Sequence, residues 1–197
     1  MISPERIEAQ KAVLRREMAR RCGDLPGAEP GIAGRSMAEM LAASGDWLAG
    51  SRVGLFASLP GEPDTRPLFA MLQGAGKAIF LPRCLADGRM EMAQAGRWED
   101  LVPGRFDILE PPQHAVGCPV SSLDLLLMPG VAFDSQGGRL GRGGGFYDRA
   151  LAGEQTGPRR LGVGFAFQVV ERVPVADHDR RVDGLLTERG VVEAVQP

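Results

Sequence analysis

Short apolar runs alternate with amphipathic segments along most of the chain. Four runs consist almost entirely of apolar residues and predict buried strands: 52–58 (RVGLFAS), 77–83 (KAIFLPR), 124–130 (DLLLMPG) and 161–167 (LGVGFAF). The segment 65–76, between the first two, predicts a helix that ends in glycine. Strands that alternate with helices are typical of βαβ units, so the pattern predicts a parallel sheet.

Weaker patterns fill the rest of the chain. Ser3, Pro4 and Glu5 supply a cap hydroxyl, a first-turn proline and a first-turn acid, which predicts a helix running to about Arg21. Residues 22–34 are rich in Gly, Pro and Asp and predict a loop. The other expected elements are a second helix at 35–48, an edge strand at 89–96, a short helix at 146–153 and a last strand at 182–190.

No repeat, low-complexity segment or linker interrupts this pattern over the 197 residues. We therefore expect one α/β domain covering 1–197, in which a central, mainly parallel sheet is flanked by helices in three layers.

The composition of the chain limits the classes of binding partner that we expect. The chain has 23 Lys and Arg against 25 Asp and Glu, a net charge of -2, which argues against nucleic acid as a partner. No apolar run approaches the roughly 18 residues of a membrane span. Three widely spaced cysteines and a beginning that lacks the apolar core of a secretory signal predict reduced thiols and a cytoplasmic location. We expect a monomer that acts on a small molecule.

The most unusual stretch is GGRLGRGGGFYDR at 137–149, with six glycines in its first nine positions. Glycine loses more backbone entropy on folding than any other residue, so an ordered loop this rich in glycine needs a reason. The stretch follows a predicted strand and precedes a predicted helix, which is where α/β proteins bind anions. Bare backbone N–H groups, helped by Arg139, Arg142 and Arg149, would suit a phosphate.

The common nucleotide fingerprints do not fit this stretch. It contains no GxxxxGK[ST] sequence, and Phe146 stands where a GxGxxG motif that starts at Gly141 needs its third glycine. A flexible surface turn therefore remains open as the alternative interpretation.

Other charged positions have two interpretations each. Lys11 and Arg15 lie four residues apart on one helix face. They are either a second cationic element of a binding site or part of a solvated, charged helix surface. Glu62 follows a predicted strand. It is either a carboxylate that orients a substrate or an acidic residue at the start of the next helix. The three aspartates of ADHDRRVD at 176–183 indicate a metal position or a polar turn.

Together these motifs resemble the 5-formyltetrahydrofolate cyclo-ligase family, also called methenyltetrahydrofolate synthetases. The resemblance runs from Lys11 to Thr187, and its most specific part is MPGVAFDSQGGRLGRGGGFYDR at 128–149. Phe146 replaces the first tyrosine of the commoner Tyr-Tyr pair, which leaves Tyr147 as the hydroxyl of that pair. The supporting matches are KAVLR (11–15), GEPDT (61–65), FLPR (80–83), DILEP (107–111) and FAFQ, VP, HDRRVD and LTE within 165–188.

The resemblance implies an α/β enzyme that binds ATP, Mg²⁺ and 5-formyltetrahydrofolate. It further implies that ATP phosphorylates the formyl oxygen and that N10 then closes the ring, yielding 5,10-methenyltetrahydrofolate, ADP and phosphate. Such chemistry depends on positioning and charge stabilisation more than on a protein nucleophile. Glu62, Arg142 and Tyr147 are the residues expected to take part in catalysis.

The resemblance also implies the binding roles. Asp148 and Asp179 would hold the magnesium, and Ala57 and Glu62 would contact the folate. The nucleotide would be bound by Lys11, Ala12, Val13, Leu14 and Arg15 of the first helix and by Arg139, Leu140, Gly141, Arg142, Gly143, Gly144, Gly145, Phe146 and Tyr147 of the glycine-rich stretch.

Two functions of other classes remain open on the sequence. One is a non-catalytic nucleotide- or phosphate-binding regulatory module on the same fold. The other is a sugar-phosphate isomerase or acyl-transfer enzyme, which would need a catalytic base or acyl acceptor beside the phosphate loop. The combination of Glu62, Tyr147, Asp148 and Asp179 favours an enzyme, because a simple phosphate binder needs no carboxylate on the substrate side.

Overall fold

The computed structural model describes residues 3–152 and 157–195. Within these ranges lie four α-helices, α1 (Pro4–Gly23), α2 (Glu29–Ala43), α3 (Arg66–Gly74) and α4 (Phe146–Ala150). The strands in the same ranges are β1 (Arg52–Gly54), β2 (Ala78–Cys84), β3 (Met90–Ala95), β4 (Val102–Pro103), β5 (Leu109–Glu110), β6 (Gly117–Cys118), β7 (Leu125–Pro129), β8 (Ala132–Asp134), β9 (Arg139–Leu140), β10 (Arg159–Val163), β11 (Val169–Val170), β12 (Gly184–Thr187) and β13 (Gly190–Glu193).

Eight strands form one sheet in the order β13-β12-β10-β7-β1-β2-β3-β6. The five strands from β12 to β2 are parallel, whereas β13, β3 and β6 pair with their neighbours in the antiparallel sense. Two small sheets, β11-β8-β9 and β4-β5, lie beside it. Parallel strands present their carboxyl ends at one edge, so the loops after β1, β2 and β7 meet there.

The central strand β7 shows how the sequence builds both faces of the sheet. Successive side chains of a strand point to opposite faces, so a strand covered on both sides is apolar throughout. Leu125 and Leu127 enter the core that α2 and α3 cover, while Leu126 and Met128 enter the core on the α4 side. All four are at most 2% exposed. The predicted α/β fold, with a mainly parallel sheet between two covering layers, is confirmed.

Helix α1 begins as the sequence predicts and connects to the small sheet. The Ser3 hydroxyl accepts a hydrogen bond from the Arg6 N–H at 3.4 Å, and proline occupies the first turn. Met18 is fully buried in a third apolar cluster with Ala132 and Leu140 of β8 and β9. This packing brings the charged face of α1 to the glycine-rich stretch. No helix of the described ranges is long and apolar enough to cross a bilayer.

Two predicted helices were wrong in their boundaries. The helix expected at 35–48 begins earlier, at Glu29, and ends at Ala43. The proline at its second residue pre-sets the helical φ, which explains why a segment that reads as a loop starts a helix. The helix expected at 146–153 ends at Ala150, and its last expected position, 153, lies outside the described residues.

Four predicted strands were also partly wrong. The strand expected at 161–167 begins earlier, at Arg159, and ends at Val163, and a short 3-10 helix follows at Ala166–Gln168. The strand expected at 52–58 ends at Gly54, after which the chain leaves the sheet. The segment 89–96 is a strand, but β6 pairs beyond it, so it is not at the edge. The region 182–190 contains β12 and the start of β13, two antiparallel strands joined by a short turn. Local alternation does not reveal a turn this short.

Candidate active site

A cavity of about 810 Å³ opens at the carboxyl edge of the parallel strands. Its wall combines the loops after β1, β2 and β7 with one face of α1, and its position and size are usual for ligand sites of α/β sheets. Most of the residues predicted for the site line it: Lys11, Arg15, Ala57, Glu62, Arg139, Leu140, Gly141, Arg142, Gly143, Gly144, Gly145, Phe146, Tyr147, Asp148 and Asp179.

The glycine-rich stretch divides into two halves with different roles, and the first half serves the fold. The buried Asp134 carboxylate accepts hydrogen bonds from the N–H groups of Gln136 at 2.9 Å, Gly138 at 2.8 Å and Val173 at 2.8 Å. A Cβ at Gly138 would collide with this carboxylate. Glycine is therefore needed at 138 to close a turn, and its N–H is not available to a ligand.

Residues 141–145 form the second half, which we call the open glycine loop, and they line the cavity. Gly143 and Gly145 have φ angles of +103° and +63°, in the region that favours glycine. The N–H groups of Gly143, Gly144 and Gly145 donate to no acceptor in the described part of the chain. Successive unpaired N–H groups beside a cavity are a common arrangement for anion binding.

Helix α1 contributes two cations to the same wall. The Lys11 ammonium is buried and lies 2.6 Å from Oδ2 of Asp179 and 3.1 Å from Oε1 of Glu8. Arg15 donates through Nε to the Gly141 carbonyl at 3.0 Å. The spacing of four residues thus places both cations on the cavity side of α1, which was one of the two interpretations of the sequence. The hydrogen bond also attaches Arg15 to the open glycine loop.

Asp179 shows the effect of this environment. Burial acts to raise the pKa of Asp179, but hydrogen bonds from the Ala176 N–H and the Lys11 ammonium outweigh it, and the pKa lies below its ordinary value. Asp179 is therefore ionised at neutral pH, and it holds the buried Lys11 in place.

Arg139 and Asp148 form a second ion pair in the wall. Arg139 is 5% exposed, and its Nη2 donates to Oδ1 of Asp148 at 2.9 Å. The same carboxylate oxygen accepts a hydrogen bond from the Arg180 N–H at 3.0 Å. The segment that carries Asp179 is thereby attached to the glycine-rich stretch, so the two predicted magnesium ligands lie on neighbouring parts of one wall.

Glu62 lies after β1 and pairs with the open glycine loop. Its Oε1 is 3.0 Å from both Nε and Nη2 of Arg142, and its Oε2 accepts from the Leu59 N–H at 2.9 Å. Burial raises the pKa of Glu62 above its ordinary value, although the Leu59 N–H and Arg142 oppose the shift. A buried carboxylate with a raised pKa at a cavity wall is a common feature of binding and catalytic sites.

The cavity is more basic than the chain. Seven lining residues are Lys or Arg and five are Asp or Glu, whereas acids outnumber bases in the whole sequence. Among the described residues, no group of three His, Cys, Asp or Glu side chains is arranged to hold a metal ion. The wall thus offers a surplus of positive charge, and four of its five carboxylates form ion pairs with described residues, Glu110 being the exception.

Three buried polar atoms of the wall lack partners. They are Nε of Arg139, Oη of Tyr147 and Nε of Arg180, each without a hydrogen bond to the described residues. Burial raises the pKa of Tyr147 far above its usual range, so the phenol stays protonated. An unsatisfied buried donor costs about 1–3 kcal/mol, so these three atoms are available to form hydrogen bonds with a ligand.

Three of the predicted nucleotide-binding residues do not line the cavity. Ala12 and Val13 lie on other faces of α1, and Val13 is 56% exposed. Leu14 packs against the apolar cluster around Met18. The helix period separates them from Lys11 and Arg15, so contacts of these three residues with a nucleotide remain a prediction.

The sequence analysis missed the apolar half of the cavity, whose wall includes Phe56, Cys84, Met90, Phe106 and Ile108. Phe106 is 65% exposed, and it and Asp107 both have positive φ, at 61° and 58°. Two consecutive non-glycine residues with such backbones are unusual and often belong to functional sites. DILEP, at 107–111, was the nearest signal in the sequence.

The comparisons with known proteins show the family of the chain. The sequence model of the 5-formyltetrahydrofolate cyclo-ligase family matches residues 7–188, nearly the whole chain. The chain belongs to this family. The family recognised from the sequence motifs is therefore confirmed, and with it the assignment of the chain as an enzyme of the cyclo-ligase type. Use of ATP follows from membership of the family.

Relatives in distant organisms support the membership. A 5-formyltetrahydrofolate cyclo-ligase of Escherichia coli K12 is 40% identical over 149 residues, which cover 72% of this chain and 80% of the relative. The Mus musculus protein of the same name is 27% identical over 198 residues, covering 92% and 95%. The family is thus found in bacteria and in a mammal.

Solved structures agree with the fold. The NMR structure of Aquifex aeolicus 5,10-methenyltetrahydrofolate synthetase superposes with a TM-score of 0.77 at 30% identity, covering 95% of this chain and 94% of that one. The synthetase of Mycoplasma pneumoniae gives a TM-score of 0.72 at 18% identity, covering 90% and 98%, and it supports the fold alone.

Proposed function

We propose that the chain catalyses the ATP-dependent cyclisation of 5-formyltetrahydrofolate to 5,10-methenyltetrahydrofolate, with release of ADP and phosphate. The observation that supports this most is the union of two unlike surfaces in one cavity. The open glycine loop, with its bare N–H groups and surrounding cations, faces an apolar half in which Phe106 is the exposed aromatic. A polyphosphate suits the first surface, and a flat pterin ring suits the second.

The polar half fits the phosphates of ATP. Backbone N–H groups at 143–145 supply donors without side chains to obstruct the approach. Lys11, Arg15 and Arg139 add charge in fixed positions, because each is held by a hydrogen bond or an ion pair. Preorganised donors of this kind stabilise the charge of a transferring phosphoryl group without reorganising during the reaction.

The same wall fits a magnesium ion that arrives with the nucleotide. Magnesium at phosphate sites is usually bound by one or two carboxylates, with phosphates and water as its other ligands. Asp148 and Asp179 are two carboxylates of the phosphate wall, and the side chains of Arg139 and Lys11 pair with only one oxygen of each, Oδ1 of Asp148 and Oδ2 of Asp179, which leaves the second oxygen for the ion. When bound there, the ion would neutralise charge on the phosphates. Both aspartates are therefore proposed as its protein ligands.

Glu62 and Arg142 lie where the two halves meet. We assign Glu62 and Ala57 to the folate side, because both belong to the segment after β1 and line the cavity. Arg142 is on the glycine side and forms the ion pair with Glu62. The ion pair would hold Glu62, which contacts the folate, and Arg142, which contacts the phosphates, in fixed positions relative to each other. The transfer of a phosphoryl group between the two substrates requires such positioning.

The proposed chemistry asks these groups to position and to stabilise charge. The formyl oxygen attacks the terminal phosphorus of ATP and ADP leaves. N10 then attacks the formyl carbon, N10 loses its proton, and phosphate leaves as the ring closes. Arg142 would stabilise the phosphoryl oxygens, Glu62 would orient the folate, and the protonated Tyr147 phenol would donate a hydrogen bond. No protein nucleophile is needed.

An absorbance assay for methenyltetrahydrofolate tests the proposal. Purified protein is incubated with 5-formyltetrahydrofolate and Mg²⁺, with ATP, with ADP, or without nucleotide. The proposal expects product only with ATP, in an amount equal to the ADP formed. Binding of ATP without any product would contradict it and would favour the regulatory phosphate-binding module instead.

A further inference from the structure

Arg180 is a cavity residue for which the sequence analysis gave no role. It lines the wall, and its Nε is one of the three buried side-chain polar atoms that have no hydrogen-bond partner in the described part of the chain. The other two belong to Arg139 and Tyr147, on the glycine-rich stretch. Since buried polar groups of native proteins are almost always paired, three orphaned atoms in one wall indicate a shared polar ligand.

The position of Arg180 places it at the phosphate end of the cavity. Its N–H donates to Oδ1 of Asp148 at 3.0 Å, the oxygen that also accepts from Arg139. The residue before it, Asp179, holds the Lys11 ammonium at 2.6 Å. The backbone of Arg180 is thus fixed between the two ion pairs of the polar half.

The side chain of Arg180 differs from those neighbours because its charge is not compensated locally. Lys11 and Arg139 each lie within 3 Å of a carboxylate. The Arg180 guanidinium forms no ion pair and no side-chain hydrogen bond with the described residues. A partly buried guanidinium next to two compensated cations repels them unless an anion is bound.

We propose that Arg180 binds the polyphosphate chain of the nucleotide, an inference that rests on the proposed function. A guanidinium offers a planar set of donors that matches phosphate oxygens in pairs. The folate carboxylates are the other anions that could enter the cavity, but Arg180 is tied through its N–H to Asp148, three residues after the open glycine loop. The contacts to Asp148 favour the phosphate assignment.

The next residue supplies a matched control. The Arg181 side chain donates through Nη1 to the Gln136 carbonyl at 2.9 Å, and Arg181 does not line the cavity. Replacing it removes the same charge one position further along the chain. A purely long-range electrostatic effect would therefore be similar in Arg180→Met and Arg181→Met, whereas a direct contact would be lost only in Arg180→Met.

The test is isothermal titration calorimetry with ATP and with adenosine, both with Mg²⁺ present. Charge-assisted hydrogen bonds of this type correspond to about a 10- to 100-fold change in affinity. Arg180→Met is expected to raise the Kd for ATP at least about tenfold while leaving the Kd for adenosine within about twofold. Arg180→Lys should recover part of the loss, and Arg181→Met should bind ATP within about twofold of the wild type.

Four results would overturn the inference. Equal ATP affinity in Arg180→Met and Arg181→Met would show that no direct contact exists. A parallel loss of adenosine affinity would indicate general disruption of the cavity. A wild-type protein that binds no ATP would contradict the proposed function and the role of Arg180 together, whereas normal turnover with an unaffected Arg180→Met would contradict the role of Arg180 alone.

Discussion

Arg142 and Glu62 are 80 positions apart in sequence, yet Nε and Nη2 of the arginine both lie 3.0 Å from Oε1 of the glutamate. The pair joins the open glycine loop to the segment after β1. Its members differ in exposure, since the Arg142 side chain is 53% exposed and that of Glu62 only 8%. The Arg142 side chain is therefore accessible to a ligand that enters from the solvent, whereas Glu62 is fixed in the wall of the cavity.

Arg142→Ala should reduce turnover far more than stability. A half-exposed ion pair contributes at most about 1 kcal/mol to folding, because solvent screens it. Removal of a preorganised donor from a developing charge typically lowers kcat about 10²- to 10³-fold. Steady-state kinetics with ATP and 5-formyltetrahydrofolate, together with urea unfolding, measure both effects. Arg66→Ala, which breaks an exposed pair with Asp64 away from the cavity, is the control. Comparable losses of stability and activity in Arg142→Ala would contradict the assignment.

Glu62→Gln should become more stable relative to the wild type as pH rises. Burial raises the pKa of Glu62, so the folded protein binds its proton more tightly than the unfolded chain does. The stability that this proton provides is complete below the ordinary Glu value of about 4.3 and is lost as pH rises through the folded pKa. Glutamine cannot ionise and escapes this loss. Urea unfolding at several pH values between 4 and 8 measures the difference.

The exposed Glu99 offers a control for that titration, because Glu99→Gln removes the same charge from the surface. A stability difference between Glu62→Gln and the wild type that stays constant with pH would show that the environment of Glu62 does not shift its proton affinity. Turnover should fall in Glu62→Gln at all these pH values, since the amide replaces the carboxylate that is proposed to orient the folate.

The two halves of the glycine-rich stretch should respond differently to alanine. In Gly138→Ala, the new Cβ collides with the Asp134 carboxylate. Overpacking of a buried region usually destabilises a protein, so we expect the free energy of unfolding to fall by a few kcal/mol. In Gly143→Ala, the nearest atoms belong to the flexible Arg15 at 3.8 Å, and only the φ of +103° is unfavourable. That variant should lose about 1–2 kcal/mol and should bind ATP more weakly.

Thermal unfolding and ATP titration separate these outcomes. The division into a structural and a binding half predicts that Gly138→Ala, where it still folds, keeps the ATP affinity of the wild type per folded molecule. A Gly143→Ala protein with unchanged ATP affinity would mean that the N–H groups of the open glycine loop do not contact the phosphates.

The central layers of the fold were predictable because they depend on local pattern. A strand such as β7 that is buried on both faces must be apolar throughout, and this is visible in LLLM without knowledge of its neighbours. The boundaries that failed depend on tertiary contacts. The strand at 52–58 ends at Gly54 because the chain turns toward the cavity, and β6 is too short, at two residues, to leave a pattern.

The site was predictable where a motif is continuous in sequence. The open glycine loop and the pair Lys11 and Arg15 both line the cavity, but spacing alone left a surface turn and a solvated flank open, and the resemblance to the family decided the prediction. Arg180 lies inside ADHDRRVD and Phe106 directly precedes DILEP, yet both were missed, because attention went to the acidic residues of those stretches and the two side chains acquire a role only when the fold brings them to the cavity. Conversely, Val13 was included by continuity with Lys11, although the helix period directs it to solvent.

Tyr147→Phe should make the unliganded protein more stable and less active. The phenol oxygen is buried without a partner, so removing it relieves about 1 kcal/mol of unfavourable desolvation while leaving the ring in place. Turnover should fall, because the hydroxyl is proposed to donate to a substrate only when the cavity is filled. Urea unfolding without ligands, and kinetics with both substrates, test the two parts.

Thr65→Val is the matched control, since the buried Thr65 hydroxyl donates to the Phe56 carbonyl at 2.7 Å and its loss should destabilise by about 1–3 kcal/mol. If Tyr147→Phe lost as much stability as Thr65→Val, the phenol would already be satisfied in the free protein, and its assignment to ligand binding would fail.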